Sequence, residues 1–468
     1  MDNKKKMIGV FTLAMINVAA VLSIRNFPQM SVYGWQSIGW YLIGLLFFLI
    51  PISLVGAELA TGWPKGGGVY AWVKEAFGHK GGFVAIFCEW SNNLVWFPTV
   101  LSFVAGTFLF LVSSNNVLTF MLMMVVLWGT TAVAFLGERV STKFGNAGAI
   151  LGSILPVILI VCLSVAFLSG GRTGQLPPFS ADQIVPTVNL DTLPFFSTVI
   201  LMFAGMEMAG YHALETRNPK KDFPRAIFIS AFVIFVLSTL GTIAIAMVVP
   251  QSQLQFSSGI MQALQYFLND FGIGWALGII GILVAIGGVA LLTAWLIGPA
   301  KGLGVVAQSG DMPPFFNRTN KHGSPVGVLV VQALIGTAIS SIFLITTNAN
   351  NAFEALSELT STVLCIAYIL IFAAAIKLRY SQPDTPRPFK IPGGKIGLWV
   401  IAGMGIGGTA FAFFCALLPT GGSVAAGQDL VFVVGMLIGT VILVVPPFLF
   451  MKLKKPSWDE AAKASKEK

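Results

Sequence analysis

The stretch FAGMEMAG, residues 203–210, sets an acid, Glu207, and a glycine, Gly205, inside the apolar run from Leu193 to Ala213. No residue near Glu207 in sequence can neutralise it. Within a membrane such a group is costly, and it either serves a ligand or ion pathway or finds a partner inside the protein. Pro194 begins the helix and Ala204-Gly205 weakens its middle, so the run reads as a helix that breaks beside its own carboxylate. A plainer reading stays open: Gly205 lets two helices pack closely and Glu207 meets a buried hydroxyl.

The composition places the whole chain in a membrane. Of 468 residues, 56% are hydrophobic and 10% charged, with a mean hydropathy of +0.83. Soluble domains carry about 25% charged residues. Runs of about 20 apolar residues, enough to cross the hydrocarbon core, recur at 7–27, 38–58, 82–111, 117–136, 145–168, 192–212, 226–249, 272–300, 326–346, 355–376, 397–418 and 428–450. That predicts an all-α integral membrane protein with twelve transmembrane helices. The third and eighth runs are long enough to tilt strongly. The first run follows Lys4 to Lys6, lacks a small-residue cleavage pattern and is read as retained. With the amino terminus inside, 26 of the 28 Lys and Arg fall in cytoplasmic segments, leaving Arg172 outside and Arg25 within the first span. This asymmetry predicts cytoplasmic amino and carboxyl termini in a cell membrane. The net charge of +9 is then a topology signal and an attraction to anionic lipid, with no concentrated patch for nucleic acid.

Cys88, Cys162, Cys365 and Cys415 all fall inside spans without metal-ligand spacing, and read as packing residues. Phosphate-loop, HExxH and GxSxG motifs are absent, which speaks against nucleotide-driven or covalent enzyme chemistry, and no cofactor or metal is expected. His79, His212 and His322 lie at span ends or in loops and form no metal site.

The first span carries a second interruption, where MINVAAVLS (15–23) runs into IRNFPQM (24–30). Interruptions in the first and sixth spans predict a five-plus-five inverted repeat with discontinuous helices 1 and 6, whose freed backbone binds substrate near the midplane. ELATGWPKGGGVYAWVKEAFG (58–78), FAGMEMAGYHALETRNPKKDFPRAI (203–227), AWLIGPAKGLGVVAQSGDMPPFFNRTNKHGSPV (294–326) and RPFKIPGG (387–394) resemble stretches of the amino acid–polyamine–organocation transporter superfamily. WLIGPAKG and NKHGSPV are most similar to its glutamate/GABA antiporter family, which includes exchangers pairing an amino acid with its decarboxylated amine. The resemblance implies a leucine-transporter-type fold, with repeats over about 7–168 and 192–376, two extra helices at 397–450 and a short tail at 452–468. It also implies alternating access around a site between spans 1, 3, 6, 8 and 10. Where many members carry Gly-Ser-Gly at the first break, this chain has Val21-Leu22-Ser23.

Ser23 and Arg25 sit at the first break, and Phe203, Met206 and Glu207 at the second, with Glu207 assigned to proton coupling or gating. On the third span CEWSNN (88–93) sets Glu89, Asn92 and Asn93 near one face. Arg25 either pairs with Glu89 or receives a carboxylate directly. Trp295 matches a superfamily position that packs on substrate. In the tenth span Thr360, with Ser361 and Thr362, offers hydroxyls, and Glu354 and Glu358 are either solvated or face a vestibule where they attract cations. The resulting expectation is an antiporter importing an amino acid in exchange for its decarboxylation product, functionally linked to a cytoplasmic decarboxylase. The apolar surround and the four acids favour tyrosine/tyramine. Histidine/histamine, agmatine/putrescine, glutamate/GABA and proton-coupled uptake are the alternatives.

Overall fold

The computed structural model describes residues 8–64, 68–112, 115–137, 148, 150–207, 216–420 and 427–466. Lys4 to Lys6, Lys65, Arg139, Lys143, His212, the start of the fifth span and residues 208–215 of the sixth-span signature lie outside the described residues. Among those described, the regular elements are helical, and one isolated bridge joins Ile8 to Thr216. In chain order the membrane elements begin with the bent pair Val10–Val21 and Ile24–Ser31 (α1, α2), then Gln36–Gly62 (α3), Val69–Leu109 (α4), Asn116–Phe135 (α5) and Ile150–Ser169 (α6). The short Pro194–Phe203 (α7) follows, then Lys220–Val248 (α8), Gly274–Ala307 (α9), Val326–Ile345 (α10), Ala349–Ser381 (α11) and Gly394–Cys415 (α12). A second bent pair, Asp429–Val444 and Pro446–Lys452 (α13, α14), ends the series. They correspond in order to the expected spans, with α7 standing for the sixth.

The third span begins close to its expected start, with an extra helix before it. Helix begins at Val69, but Gly78 interrupts it at φ 76° and ψ −177°, so a short helix precedes the span proper. Most spans are apolar on every side, because one face meets protein and the other meets lipid. Val125, Phe232, Ile279 and Val431 are among the exposed apolar side chains. At the centre α4 packs on α11 and α9; α1 packs on α8, α7 on α3 and α11, and α9 on α6. Glycine makes the last contact possible. A Cβ on Gly152 would lie 2.2 Å from the Gly287 backbone.

Both expected breaks are present. After α1, Leu22 (φ −66°, ψ 93°) and Ser23 (φ −106°, ψ 98°) are extended, and the chain resumes in a 3-10 turn with Pro28 in the following turn of helix. The two halves meet at 41°. α7 ends at Phe203, where Ala204 is extended and Gly205 takes φ +112°, a region strained for any side chain. At the far end of α3, Glu58 accepts from Arg379 Nε (2.7 Å) and the Ile391 N–H (2.8 Å), while Arg387 stacks over Trp63 at 4.8 Å. The ELATGWP and RPFKIPGG stretches are thus two sides of one buried polar clamp.

Candidate functional site

The two breaks face each other. A Cβ on Gly205 would lie 3.2 Å from Trp295 Cζ2 and 3.3 Å from the Ala20 carbonyl oxygen, so the end of α7 abuts α1 just before it unwinds. Between them lies a cavity of about 30 Å³, walled by residues of α1, α2, α4, α7, α9 and α11. That is space for water, not for an amino acid. Substrate access therefore requires side-chain movement; Trp96 and Trp295 form one wall, with ring centroids 5.9 Å apart.

Ser23, Arg25, Asn92, Asn93 and Trp295 line this cavity. Asn26, Trp96, Leu291 and Leu364, which sequence reasoning missed, join them. A signal existed for two: Asn26 follows Arg25 at the break, and Trp96 lies one helical turn beyond Asn92 and Asn93. The remaining candidates are elsewhere. Phe203 packs on Tyr41 with ring centroids 5.8 Å apart, and Met206 is buried outside the lining. Thr360 donates back to the Leu356 carbonyl at 2.7 Å. Glu89 is buried a turn before the lining asparagines, within electrostatic reach of Glu207.

Arg25 is the charged member of the lining and is 1% exposed. It donates to Thr99 Oγ1 and lies over the rings of Trp96 (5.3 Å) and Phe353 (5.5 Å). Among the described residues no carboxylate lies within ion-pair distance of it, so the pair with Glu89 does not form. Its Nε, Ser23 Oγ and both amide atoms of Asn26 have no hydrogen-bond partner. Cation–π contacts are each worth about 0.5–2 kcal/mol and offset only part of the penalty of burying an unpaired guanidinium. The cavity therefore holds a cation and several polar groups in want of an acceptor or donor.

Glu207 is satisfied, and by a hydroxyl. Tyr368 on α11 donates to its two carboxylate oxygens at 3.0 and 3.1 Å, and the same phenol oxygen accepts the Gly205 N–H at 3.0 Å. On the opposite side Gly56 of α3 leaves room for it: a Cβ there would be 3.3 Å from Glu207 Cα. Glu354 and Glu358 are not solvated. Both are buried; Glu358 accepts from Ser197 and from Thr198 (3.0 Å) on α7, and Glu354 faces Gln29 and Thr420. Ser361 and Thr362 bond to neighbouring helices through the Ser197 carbonyl (3.4 Å) and Thr440 (2.7 Å).

Residues 8–443 match the family model described as amino acid permease. The chain belongs to that family. This permease is 37% identical to an uncharacterized transporter of Legionella pneumophila, over 97% of its own length and 98% of the relative's. It is 29% identical to the glutamate/gamma-aminobutyrate antiporter of Lactococcus lactis, over 96% and 91% of the two chains. A probable agmatine/putrescine antiporter of the same organism is 26% identical over 84% of each. In structure it is similar to a manganese transporter of Eremococcus coleocola, with a TM-score of 0.55 at 10% identity over 97% of this chain and 99% of the other. That likeness shows the transporter fold. The protein is thus a multi-pass membrane transporter and not an enzyme, with antiporters among its relatives.

Proposed function

We propose that this permease exchanges an amino acid for its decarboxylation product, with Arg25 receiving a carboxylate. The observation that carries the reading is a buried guanidinium, free of any acidic partner among the described residues, at the mouth of the helix 1 break. A carboxylate there would accept charge-assisted hydrogen bonds from Arg25, while Ser23 and Asn26 address the rest of the polar head. The tyrosine/tyramine pair favoured on sequence grounds rested on an apolar surround and on four acids near the pathway. Glu89, Glu207, Glu354 and Glu358 are all buried off the cavity lining, whose charged side chain is Arg25. A monoamine or diamine would bring a second cation to Arg25. A product that keeps a carboxylate, as γ-aminobutyrate does, meets the same guanidinium on both legs. The glutamate/GABA type of pair is therefore preferred to tyrosine/tyramine, histidine/histamine or agmatine/putrescine.

Purified protein in vesicles preloaded with GABA should take up labelled glutamate, and vesicles loaded with tyramine should not take up tyrosine. Rapid tyrosine/tyramine counterflow without glutamate exchange would overturn the assignment. Proton-coupled uptake is the second reading, favoured by Glu207 beside the break. It predicts accumulation in empty vesicles under a pH gradient, which an obligate exchanger cannot produce.

Packing of α4 on α11 mirrors that of α9 on α6, and α1 on α8 mirrors α7 on α3, which supports the inverted repeat over about 7–168 and 192–376. The basic asymmetry supports cytoplasmic termini. A cytoplasmic decarboxylase is the reaction that would convert the imported leg into the exported one.

A further inference from the structure

Away from the central cavity, a crevice of about 530 Å³ opens between α4, α11 and α14. We propose that it binds an anionic phospholipid, headgroup at the mouth and the start of an acyl chain along the wall. Its mouth carries two ammonium groups, Lys80 and Lys452, and its wall is Val84, Leu370, Phe448 and Met451. Both lysines mark the same boundary. The apolar stretch of α4 begins just after Lys80, and the α13–α14 pair ends at Lys452. This is the depth at which a phosphate sits above its own acyl chains.

The charge at the mouth is uncompensated. Three other lysines at this end are engaged: Lys454 with Asp311 (3.1 Å) and Asp459 (2.9 Å), Lys74 with the Tyr70 hydroxyl (3.3 Å), Lys377 over the Phe77 ring (4.7 Å). Among the described residues Lys80 and Lys452 have no acidic partner, and no acid lines the crevice. The apolar wall opens onto the lipid-facing surface, where Phe448 is 51% exposed. The shape has a local cause. Pro446 and Pro447 bend the last span by 40° and turn α14 across α4, where Phe450 packs near Phe83 and Phe87 at 6.5 and 6.3 Å. Below the bend a separate small cluster, Cys88, Val363 and Ala367, seals the floor against Val84, Leu443 and Val444. The volume falls in the range of sites for small ligands, about 300–1,000 Å³. A water-filled site for free phosphate would not need so apolar a wall.

The test uses the full-length protein in mild detergent, with native mass spectrometry during titration by phosphatidylglycerol, phosphatidylcholine or inorganic phosphate. Phosphatidylglycerol should be retained in preference to phosphatidylcholine, and millimolar phosphate should not displace it. Each basic side chain near an anionic headgroup contributes roughly fivefold. Lys80→Gln with Lys452→Gln should therefore weaken phosphatidylglycerol retention roughly 30-fold. The paired arginine substitutions should keep it, and Lys455→Gln, outside the crevice, should leave it unchanged. Equal retention of the two lipids by the unaltered protein, undiminished retention by the double glutamine variant, or full displacement by phosphate would each overturn the proposal.

Discussion

The two helix breaks meet in one place but are built differently. The first uses no glycine: Leu22 and Ser23 are extended, a conformation open to any residue, and the Ser23 hydroxyl, the Arg25 Nε and the Asn26 amide are left without a hydrogen-bond partner around the cavity. The second depends on Gly205 at φ +112°, and its freed N–H is taken by Tyr368, which also holds Glu207. One break leaves side-chain atoms unpartnered at the cavity, and at the other the described Gly205 N–H and Glu207 carboxylate are already paired. Helix discontinuity alone therefore does not identify the binding half. What separates them is whether the buried polar atoms at each break already have partners.

Arg25→Ala should weaken binding of a carboxylate-bearing substrate by roughly 100-fold, the equivalent of about 3 kcal/mol for a charge-assisted pair, while a ligand without a carboxylate loses far less. Affinity of each ligand, read beside a melting curve, checks this; equal loss for both with a fall in melting temperature would return Arg25 to a packing role. Gly205→Ala comes next. The left-handed backbone and the approach of Trp295 and Ala20 make about 1–3 kcal/mol of strain, expected as a lower melting temperature and slower exchange with the same substrate preference.

Tyr368→Phe tests the closed break. Removing one hydroxyl leaves the Gly205 N–H and the Glu207 carboxylate without it, a loss of about 1–3 kcal/mol in stability. A variant as stable as the parent would show that water or another group readily replaces the phenol. Ser23→Ala should have the smallest effect, within about 0.5 kcal/mol on stability, because its hydroxyl has no partner to lose. Substrate affinity should still drop a few-fold, by isothermal titration, if the open break contacts ligand; unchanged affinity would remove Ser23 from the site.

Membrane class, the order of the spans and the positions of both interruptions were legible in the residues themselves. Those properties are local: hydropathy over about 20 residues, the fixed φ of proline and the conformational freedom of glycine are carried by each segment wherever it packs. Partnership was not legible. Glu354 and Glu358 stand at the start of a helix as solvated acids would, yet both are buried, Glu358 held by Ser197 and Thr198 more than 150 residues away in the chain. Arg25 had an acid on offer in Glu89 and instead lies between Trp96 and Phe353. Phe203 sits at the break but turns to Tyr41, while Trp96, one helical turn past Asn92 and Asn93, walls the cavity. A helix that is apolar on every side says nothing about which face meets lipid and which meets another helix. Only the packing of distant spans chose those faces, and with them which polar groups were satisfied and which were left for a substrate.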